Sequence, residues 1–227
     1  MAKNKLQQYI LQQRDLGFSE LYFPVETRVQ NEKTVKRLGI NKFDNSESLI
    51  QLEKTIDSCQ KCPLGKTRTK FVFGVGNPEA DILFIGEAPG RDEDQRGEPF
   101  VGRAGKQLDK LLAEVGLNRQ DVYIANILKC RPPNNRDPES TEAEKCEPYL
   151  LKQIELINPK VICCLGRIAA QRLLNITAPL GAMRQGQYEF HGVKLFVTYH
   201  PAALLRTNAY TQPTIDDLKR VIAALKS

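Results

Sequence analysis

Residues 81–90 read Asp-Ile-Leu-Phe-Ile-Gly-Glu-Ala-Pro-Gly, and the rest of the chain is best interpreted outward from them. The apolar run from Ile82 to Ile85 has no polar break, which predicts a strand buried on both faces of a sheet. A loop rich in charge follows, and residues 102–116 then predict a helix. A strand, a glycine-rich loop and a helix in this order place a ligand at the carboxyl edge of a parallel sheet.

Strands and helices alternate along the remaining chain. Further apolar runs predict strands at residues 121–128, 160–165 and 193–198. Periodic segments predict helices at residues 46–56, 138–157, 166–174 and 214–225. Ser46 and Thr214 are expected to cap two of these helices, and Pro148 is expected to kink or split a third. The alternation predicts an α/β fold with three α/β/α layers around a central, mainly parallel four-stranded sheet.

The N-terminal segment has a different pattern. Residues 4–16 predict an amphipathic helix, and residues 25–45 are charged without a clear period, as in a linker. The simplest division is an N-terminal helical extension over residues 1–45 and one domain over residues 46–227. The extension suits two roles: a helix or arm that accompanies the domain, and a segment that binds a protein partner.

Charge, apolar content and cysteine count limit the classes of protein to which the chain can belong. The chain has 227 residues and a net charge of +6, which permits a polyanionic partner without requiring one. No apolar run approaches the roughly 20 residues that a membrane span needs, and polar glutamines stand where a signal peptide would be apolar. We therefore expect a cytoplasmic protein with no membrane contact. Its six cysteines are expected to serve a metal or chemistry instead of a disulfide framework.

Four cysteines outside the strand interiors form a candidate metal site. They are Cys59, Cys62, Cys130 and Cys146. The first two form a Cys-x-x-Cys pair, whereas the other two are remote and would have to be gathered by the fold. Zinc accepts four thiolates as readily as an iron–sulfur cluster does, so the residues alone leave both open. Cys163 and Cys164 lie in an apolar strand and are expected to be inert core residues.

Polar or glycine residues lie at the ends of three predicted strands. Gly86-Glu87-Ala88 ends the first strand, Asn126 lies near the end of the second, and His200 follows the fourth. Because open parallel sheets bind ligands outside their carboxyl edges, we expect these residues to converge. Taken singly, Asn126 also suits the satisfaction of a loop backbone, and His200 before Pro201 suits an ordinary turn.

Two motifs resemble those of a known family. Residues 86–90 (Gly-Glu-Ala-Pro-Gly) and 97–105 (Gly-Glu-Pro-Phe-Val-Gly-Arg-Ala-Gly) resemble the first motif of the family 4 uracil-DNA glycosylases. Residues 200–206 (His-Pro-Ala-Ala-Leu-Leu-Arg) are similar to the second. The resemblance implies a DNA-repair enzyme that hydrolyses the N-glycosidic bond of deoxyuridine in single- and double-stranded DNA. Uracil would be released and an abasic site left, as the first step of base excision repair.

The resemblance also implies a cofactor and roles for the strand-end residues. A [4Fe–4S] cluster would be held by Cys59, Cys62, Cys130 and Cys146. Asn126 would read the uracil edge, because its amide offers both a donor and an acceptor to the imide. Phe100 would stack on the base, and His200 would donate to uracil O2 as negative charge gathers there. The pocket would be bordered by the backbone of Gly86, Glu87 and Ala88.

One position departs from the wider superfamily. Some uracil glycosylases place a water-orienting Asp where this chain has Ala88. Glu87 is therefore a candidate for orienting the attacking water, and a structural role for it is equally open.

The residues that follow His200 are predicted to contact DNA. Leu204 and Leu205 would supply an apolar wedge for the space that an everted base leaves, and Arg206 would meet phosphate. For any one of these residues, an ordinary place at the start of a helix is equally open. Arg131 and Arg136, in a proline-rich loop, suit either phosphate contacts or a solvated turn.

Two alternative functions follow from the same residues. A related family traps uracil-DNA covalently through a histidine, but it carries Gln where this chain has Ala88. The chain would otherwise be a non-catalytic DNA-binding module of a replication complex, an alternative against which Glu87, Asn126 and His200 argue. We expect a monomer that acts on uracil-containing DNA.

Overall fold

The computed structural model describes the backbone of residues 45–226 and the side chains of residues 48–226. The predicted helix at residues 4–16, residues 25–44 of the predicted linker and the partner-binding role of the extension lie outside these described residues, whereas Asn45 belongs to the first helix of the domain. Ser46 was predicted to cap the first helix, but it lies inside that helix, which already includes Asn45.

A six-stranded sheet forms the centre of the domain, with strand order β1-β3-β2-β4-β6-β5. Its strands are β1 (Val75–Gly76), β2 (Ile82–Gly86), β3 (Tyr123–Asn126), β4 (Val161–Leu165), β5 (Tyr188–Phe190) and β6 (Val193–Thr198). The four inner strands β3, β2, β4 and β6 are parallel, as predicted. The predicted total of four strands is wrong, since β1 and β5 add one short antiparallel strand at each edge.

Helices cover both faces of the sheet. They are α1 (Asn45–Ile56), α2 (Leu64–Thr67), α3 (Arg91–Arg96), α4 (Arg103–Glu114), α5 (Ser140–Ile157), α6 (Arg167–Leu174), α7 (Leu180–Gln185), α8 (Pro201–Leu204) and α9 (Thr211–Ala223). Successive strand residues alternate between two cores: Leu83 and Ile85 share one with α1, α5 and α6, while Ile82 and Phe84 share the other with α4 and α9. Both faces are therefore buried, and the three-layer α/β/α prediction is confirmed.

Three further helix predictions are corrected. Thr214 does not cap a helix, because α9 already begins at Thr211 and the Thr214 hydroxyl donates to the Tyr210 carbonyl oxygen within it. Helix α5 runs unbroken through Pro148. The carbonyl that lacks a proline donor belongs to Glu144, an exposed residue, so water can hydrate it. The charged loop after β2 contains the six-residue helix α3, which has no apolar stripe to reveal it.

The strand directions place the candidate site. Because β2, β3, β4 and β6 are parallel, their carboxyl ends lie along one edge of the sheet. Gly86 and Asn126 are paired residues at the ends of β2 and β3, and His200 follows β6 closely. Within residues 45–226, no helix has the length and apolar character to cross a membrane.

Candidate active site

Gly86 marks the point at which Asn126 and Phe100 converge. A Cβ atom built on Gly86 would lie 2.4 Å from Asn126 Oδ1 and 2.7 Å from the Phe100 ring. Asn126 is buried, and its Oδ1 has no hydrogen-bond partner among the described residues. Since buried polar atoms are nearly always paired, an orphaned amide oxygen beside an aromatic ring indicates a position for a ligand donor.

Phe100 is held in an uncommon backbone conformation. Its φ is +54°, in the left-handed region that residues with a Cβ rarely adopt. Glu93 supports the following turn, because its Oε1 accepts hydrogen bonds from the backbone amides of Val101 and Gly102, both at 2.9 Å. Gly105 permits the close approach of α4, since a Cβ there would lie 1.7 Å from the Phe100 carbonyl oxygen. The ring is therefore positioned by its own loop.

His200 is neutral and has a defined tautomer. Burial lowers the pKa of its imidazole to about 4. Nδ1 accepts a hydrogen bond from the Ala202 backbone amide at 3.2 Å, so in the neutral ring the proton is on Nε2. His200 can therefore act as a hydrogen-bond donor through Nε2 without carrying a charge.

Glu87 has an unusually basic carboxylate. Burial raises its pKa to about 7, and the negative charge of Asp137 adds to this rise while Arg167 opposes it. Glu87 therefore changes its charge near neutral pH, in the range expected of a group that accepts a proton in catalysis.

These residues enclose one cleft of about 390 Å³. Its wall includes Glu87, Ala88, Phe100, Asn126 and His200, together with Glu93 and Arg206. A cleft that combines one aromatic ring, an unpaired amide and a neutral imidazole can hold a flat, polar ring. The structure thus brings together every residue for which a base-binding role was predicted, with Gly86 beneath Asn126 and Phe100.

The residues predicted to contact DNA separate into buried and exposed members. Leu204 is buried in the core against α4 and α9, so the interpretation of Leu204 as a wedge is wrong in this conformation. Leu205 is 41% exposed and Arg206 is exposed. Arg136 is held by Glu142 through two hydrogen bonds of 2.6 and 2.9 Å, which occupies the guanidinium.

The four candidate cysteine ligands are gathered from three regions. Cys59 and Cys62 lie between α1 and α2, Cys130 follows β3, and Cys146 lies on α5. Burial raises the pKa of the Cys130 thiol to about 11, and the charges of Cys146 and Cys62 contribute to this rise. Cys62 and Cys59 likewise contribute to the raised pKa of Cys146, after burial. Cys62, Cys130 and Cys146 therefore lie within electrostatic reach of one another, and Cys59 lies within reach of Cys146.

Hydrogen-bond donors point at three of these sulfur atoms. Arg68 Nη1 lies 3.2 Å from Cys130 Sγ, the Tyr149 hydroxyl 3.2 Å from Cys59 Sγ, and the Lys129 amide 3.3 Å from Cys146 Sγ. Such donors are common around metal-bound thiolates. Among residues 48–226, however, no three His, Cys, Asp or Glu side chains are arranged to hold one metal ion.

A family model for the uracil DNA glycosylase superfamily matches residues 73–226. The chain belongs to this superfamily. It is an enzyme of the glycosylase class of hydrolases. The matched range includes all the cleft residues and Cys130 and Cys146, and begins after Cys59 and Cys62.

Several relatives within the superfamily are type-4 uracil-DNA glycosylases. The chain is 50% identical to that of Archaeoglobus fulgidus over 183 residues, which cover 77% of this chain and 92% of the relative. It is 45% identical to that of Saccharolobus solfataricus over 190 residues, 80% of this chain and 88% of the relative. It is 40% identical to that of Thermotoga maritima over 188 residues, 81% of this chain and 98% of the relative. The superfamily member described here therefore belongs to the type-4 family.

Sequence reasoning missed three residues that support the glycosylase site: Glu93, Lys129 and Arg68. Glu93 lies within a run of charges predicted as a loop, so nothing distinguished it from a solvated loop residue. Lys129 could have been recognised from the sequence, because it is a single lysine between the apolar run of β3 and Cys130. Arg68 follows the cysteine pair closely, but its contact with Cys130 depends on the fold.

Proposed function

We propose that the enzyme hydrolyses the N-glycosidic bond of deoxyuridine in single- and double-stranded DNA. Uracil would be released and an abasic site left, as the first step of base excision repair. The single observation that carries this proposal is the unpaired Oδ1 of buried Asn126 beside the Phe100 ring. The printed names of the relatives, type-4 uracil-DNA glycosylases, support the same substrate.

Asn126 accounts for the choice of base. Uracil carries a hydrogen on N3, which can donate to Asn126 Oδ1, while the amide NH2 can donate to uracil O4. Cytosine carries a lone pair on N3 and an amine on C4, so both hydrogen bonds would face the wrong partner. A buried mismatch of this kind costs about 1–3 kcal/mol per unpaired group, and the Phe100 ring would stack equally on either base.

His200 and Glu87 account for the chemistry. Cleavage breaks the bond between C1′ and N1, leaving the electron pair on uracil and positive charge on the sugar, and water then adds to C1′. The Nε2–H of neutral His200 would donate to uracil O2, where the charge develops; such a donor contributes roughly 3–4 kcal/mol. Glu87, when ionised, would accept a hydrogen bond from the attacking water and later its proton.

A [4Fe–4S] cluster would be held by Cys59, Cys62, Cys130 and Cys146. The donor set suits it: Cys146 lies within electrostatic reach of the other three thiols, and three of the four thiols receive hydrogen bonds. The cluster would act as a structural cross-link between these segments.

DNA contacts would come from the exposed end of α8. Leu205 is one of two large apolar side chains strongly exposed among the described residues, and Arg206 lies on the cleft wall. Leu205 would fill the space left by the everted base and Arg206 would contact phosphate. We further propose that the enzyme is a cytoplasmic monomer, and that residues 1–45 form a separate extension able to bind a protein partner.

An oligonucleotide assay tests this function. The protein is incubated with single- and double-stranded substrates carrying one uracil, and alkali then cleaves any abasic site. Cleavage at uracil but not at cytosine or thymine is the expected result. A complex that survives denaturant would show covalent trapping, and binding without cleavage would show a non-catalytic module; either result would contradict the proposal.

A further inference from the structure

Lys129 is a fully buried cation beside the base-reading residue. It lies two residues beyond Ile127 on the chain that leaves β3, and its side chain has no solvent exposure. Its Nζ donates to the Asn126 carbonyl oxygen at 2.9 Å and to Gln153 Oε1 at 2.5 Å. The Gln153 amide in turn donates to the Phe73 carbonyl oxygen at 3.1 Å. A buried ammonium is costly, so a lysine whose donors are committed in this way indicates a specific function.

The contact with Asn126 supplies a hydrogen-bond donor at a position that strand β1 does not reach. β1 pairs with β3 only at Tyr123 and Ile124, so it supplies no donor as far along as Asn126. The Lys129 ammonium supplies one and fixes the peptide plane that follows Asn126. Because the backbone at Asn126 sets the direction of its side chain, this bond also fixes where the unpaired Oδ1 points.

The backbone of Lys129 contacts the cysteine site. Its backbone amide donates to Cys146 Sγ at 3.3 Å, and the next residue is Cys130. One residue therefore contacts a candidate cluster ligand through its backbone and the base-reading residue through its side chain.

We propose that Lys129 is a positioning residue that couples the cysteine site to the orientation of Asn126. The inference rests on the proposed function, because it assigns Lys129 a part in uracil recognition. Lys129 does not touch the base; it holds the carbonyl of Asn126 while the cysteine site holds the backbone of Lys129. Disturbance at the cysteines would then reach the cleft through a path of two hydrogen bonds.

The test compares Lys129→Met with Lys152→Met. Lys152 is exposed on α5 and pairs only with Glu155 among the contacts of the described residues, so it is a matched control. Three quantities are measured: absorption at roughly 400 nm per chain, the single-turnover rate on a uracil oligonucleotide, and the inhibition constant of free uracil. We expect Lys129→Met to keep its absorption and melting temperature while the rate falls about 10- to 100-fold. The inhibition constant should rise by a similar factor, and Lys152→Met should match the wild type.

The outcomes separate positioning from general stability. A folded Lys129→Met protein with an unchanged rate and an unchanged uracil inhibition constant would overturn the inference. If Lys129→Met does not fold or loses its absorption, the inference is tested with Gln153→Met. This change removes one acceptor of the Lys129 ammonium and leaves Lys129 in place. In Gln153→Met, a smaller fall in the rate together with a smaller rise in the uracil inhibition constant supports the positioning role of Lys129. Wild-type values of both quantities overturn it. Failure of the wild-type protein to release uracil would instead contradict the proposed function, and the inference with it.

Discussion

The Phe100 ring lies with its centroid 5.5 Å from that of the His200 ring, and the two planes are inclined at 33°. Each ring is placed by main-chain contacts close to it. Phe100 takes a left-handed backbone conformation braced through Glu93, and His200 accepts the amide of Ala202 through Nδ1. The width of the space available to a base is therefore set by local backbone geometry.

Removal of the Glu93 carboxylate should loosen Phe100. Glu93→Ala leaves the Val101 and Gly102 amides without their acceptor, and we expect kcat/KM on a uracil oligonucleotide to fall roughly 10- to 100-fold. Glu93→Gln keeps an acceptor oxygen and should stay within several-fold of the wild type. Equal losses in the two variants would show that the charge, and not the support of the loop, is what matters.

A methyl group at residue 86 should block the cleft. Gly86→Ala places a carbon 2.4 Å from Asn126 Oδ1 and 2.7 Å from the Phe100 ring, so we expect a loss of about 100-fold or more in kcat/KM. Gly181→Ala is the control, because a Cβ there meets nothing within 4 Å. Steady-state kinetics and thermal melts of both variants check this. Full activity in Gly86→Ala would mean that Asn126 and Phe100 move apart freely.

The pKa of Glu87 predicts a pH dependence. Burial raises it to about 7, so the ionised fraction increases as the pH rises through that value. If the carboxylate orients the attacking water, the single-turnover rate should increase with pH in the same window and then level off. His200 stays neutral throughout, since its pKa is lowered to about 4. Glu87→Gln should remove the rise, and a rise that persists in this variant would favour the structural role for Glu87.

Truncation of Leu204 should lower stability, whereas truncation of Leu205 should lower activity on double-stranded DNA. Leu204→Ala opens a cavity in the core and should lower the free energy of unfolding by about 2–5 kcal/mol. Leu205→Ala should leave thermal stability unchanged and reduce activity on double-stranded more than on single-stranded DNA, because only a duplex leaves a gap to fill. Chemical denaturation and paired substrates measure the two effects. Equal activity of Leu205→Ala on both substrates would remove the wedge from the proposal.

Arg68 should determine how well the cysteine site retains a cluster. Its guanidinium donates to the Cys59 carbonyl oxygen at 2.6 Å and to Cys130 Sγ at 3.2 Å, which joins two of the gathered segments. Both of these contacts come from Nη1, while Nη2 donates to the Asp57 carbonyl oxygen. Lysine lacks this two-nitrogen fork, so Arg68→Lys should lose absorption near roughly 400 nm at least several-fold faster in an iron chelator. Lys66→Met, an exposed change on α2 two residues before Arg68, is the control. Identical decay in the two variants would assign Arg68 no such role.

The sheet could be predicted because parallel strands buried on both faces are continuous apolar runs. β2 and β4 are of this kind, with every residue buried. β1 and β5 were missed because strands of two and three residues contain no measurable period. Helix α3 was missed for a related reason, since its six residues are all polar.

The meeting of Gly86, Asn126 and His200 could be predicted from topology alone. They follow parallel strands, and parallel strands end at one edge. The inward placement of Phe100 could not, because a left-handed phenylalanine has no sequence signal. Nor could the burial of Leu204 instead of Leu205, since helix α8 is a single turn whose rotation is set by the core beneath it.

Cys163 and Cys164 lie with no exposed surface in the middle of β4, and burial raises the pKa of both thiols well above the ordinary value. A thiol reagent added to the intact domain therefore has at most four of the six cysteines available. Release of a metal group would uncover up to four reactive sulfurs, while opening of the sheet would uncover two more. Counting labelled thiols by mass spectrometry would thus tell loss of the inorganic group from loss of the fold within one sample.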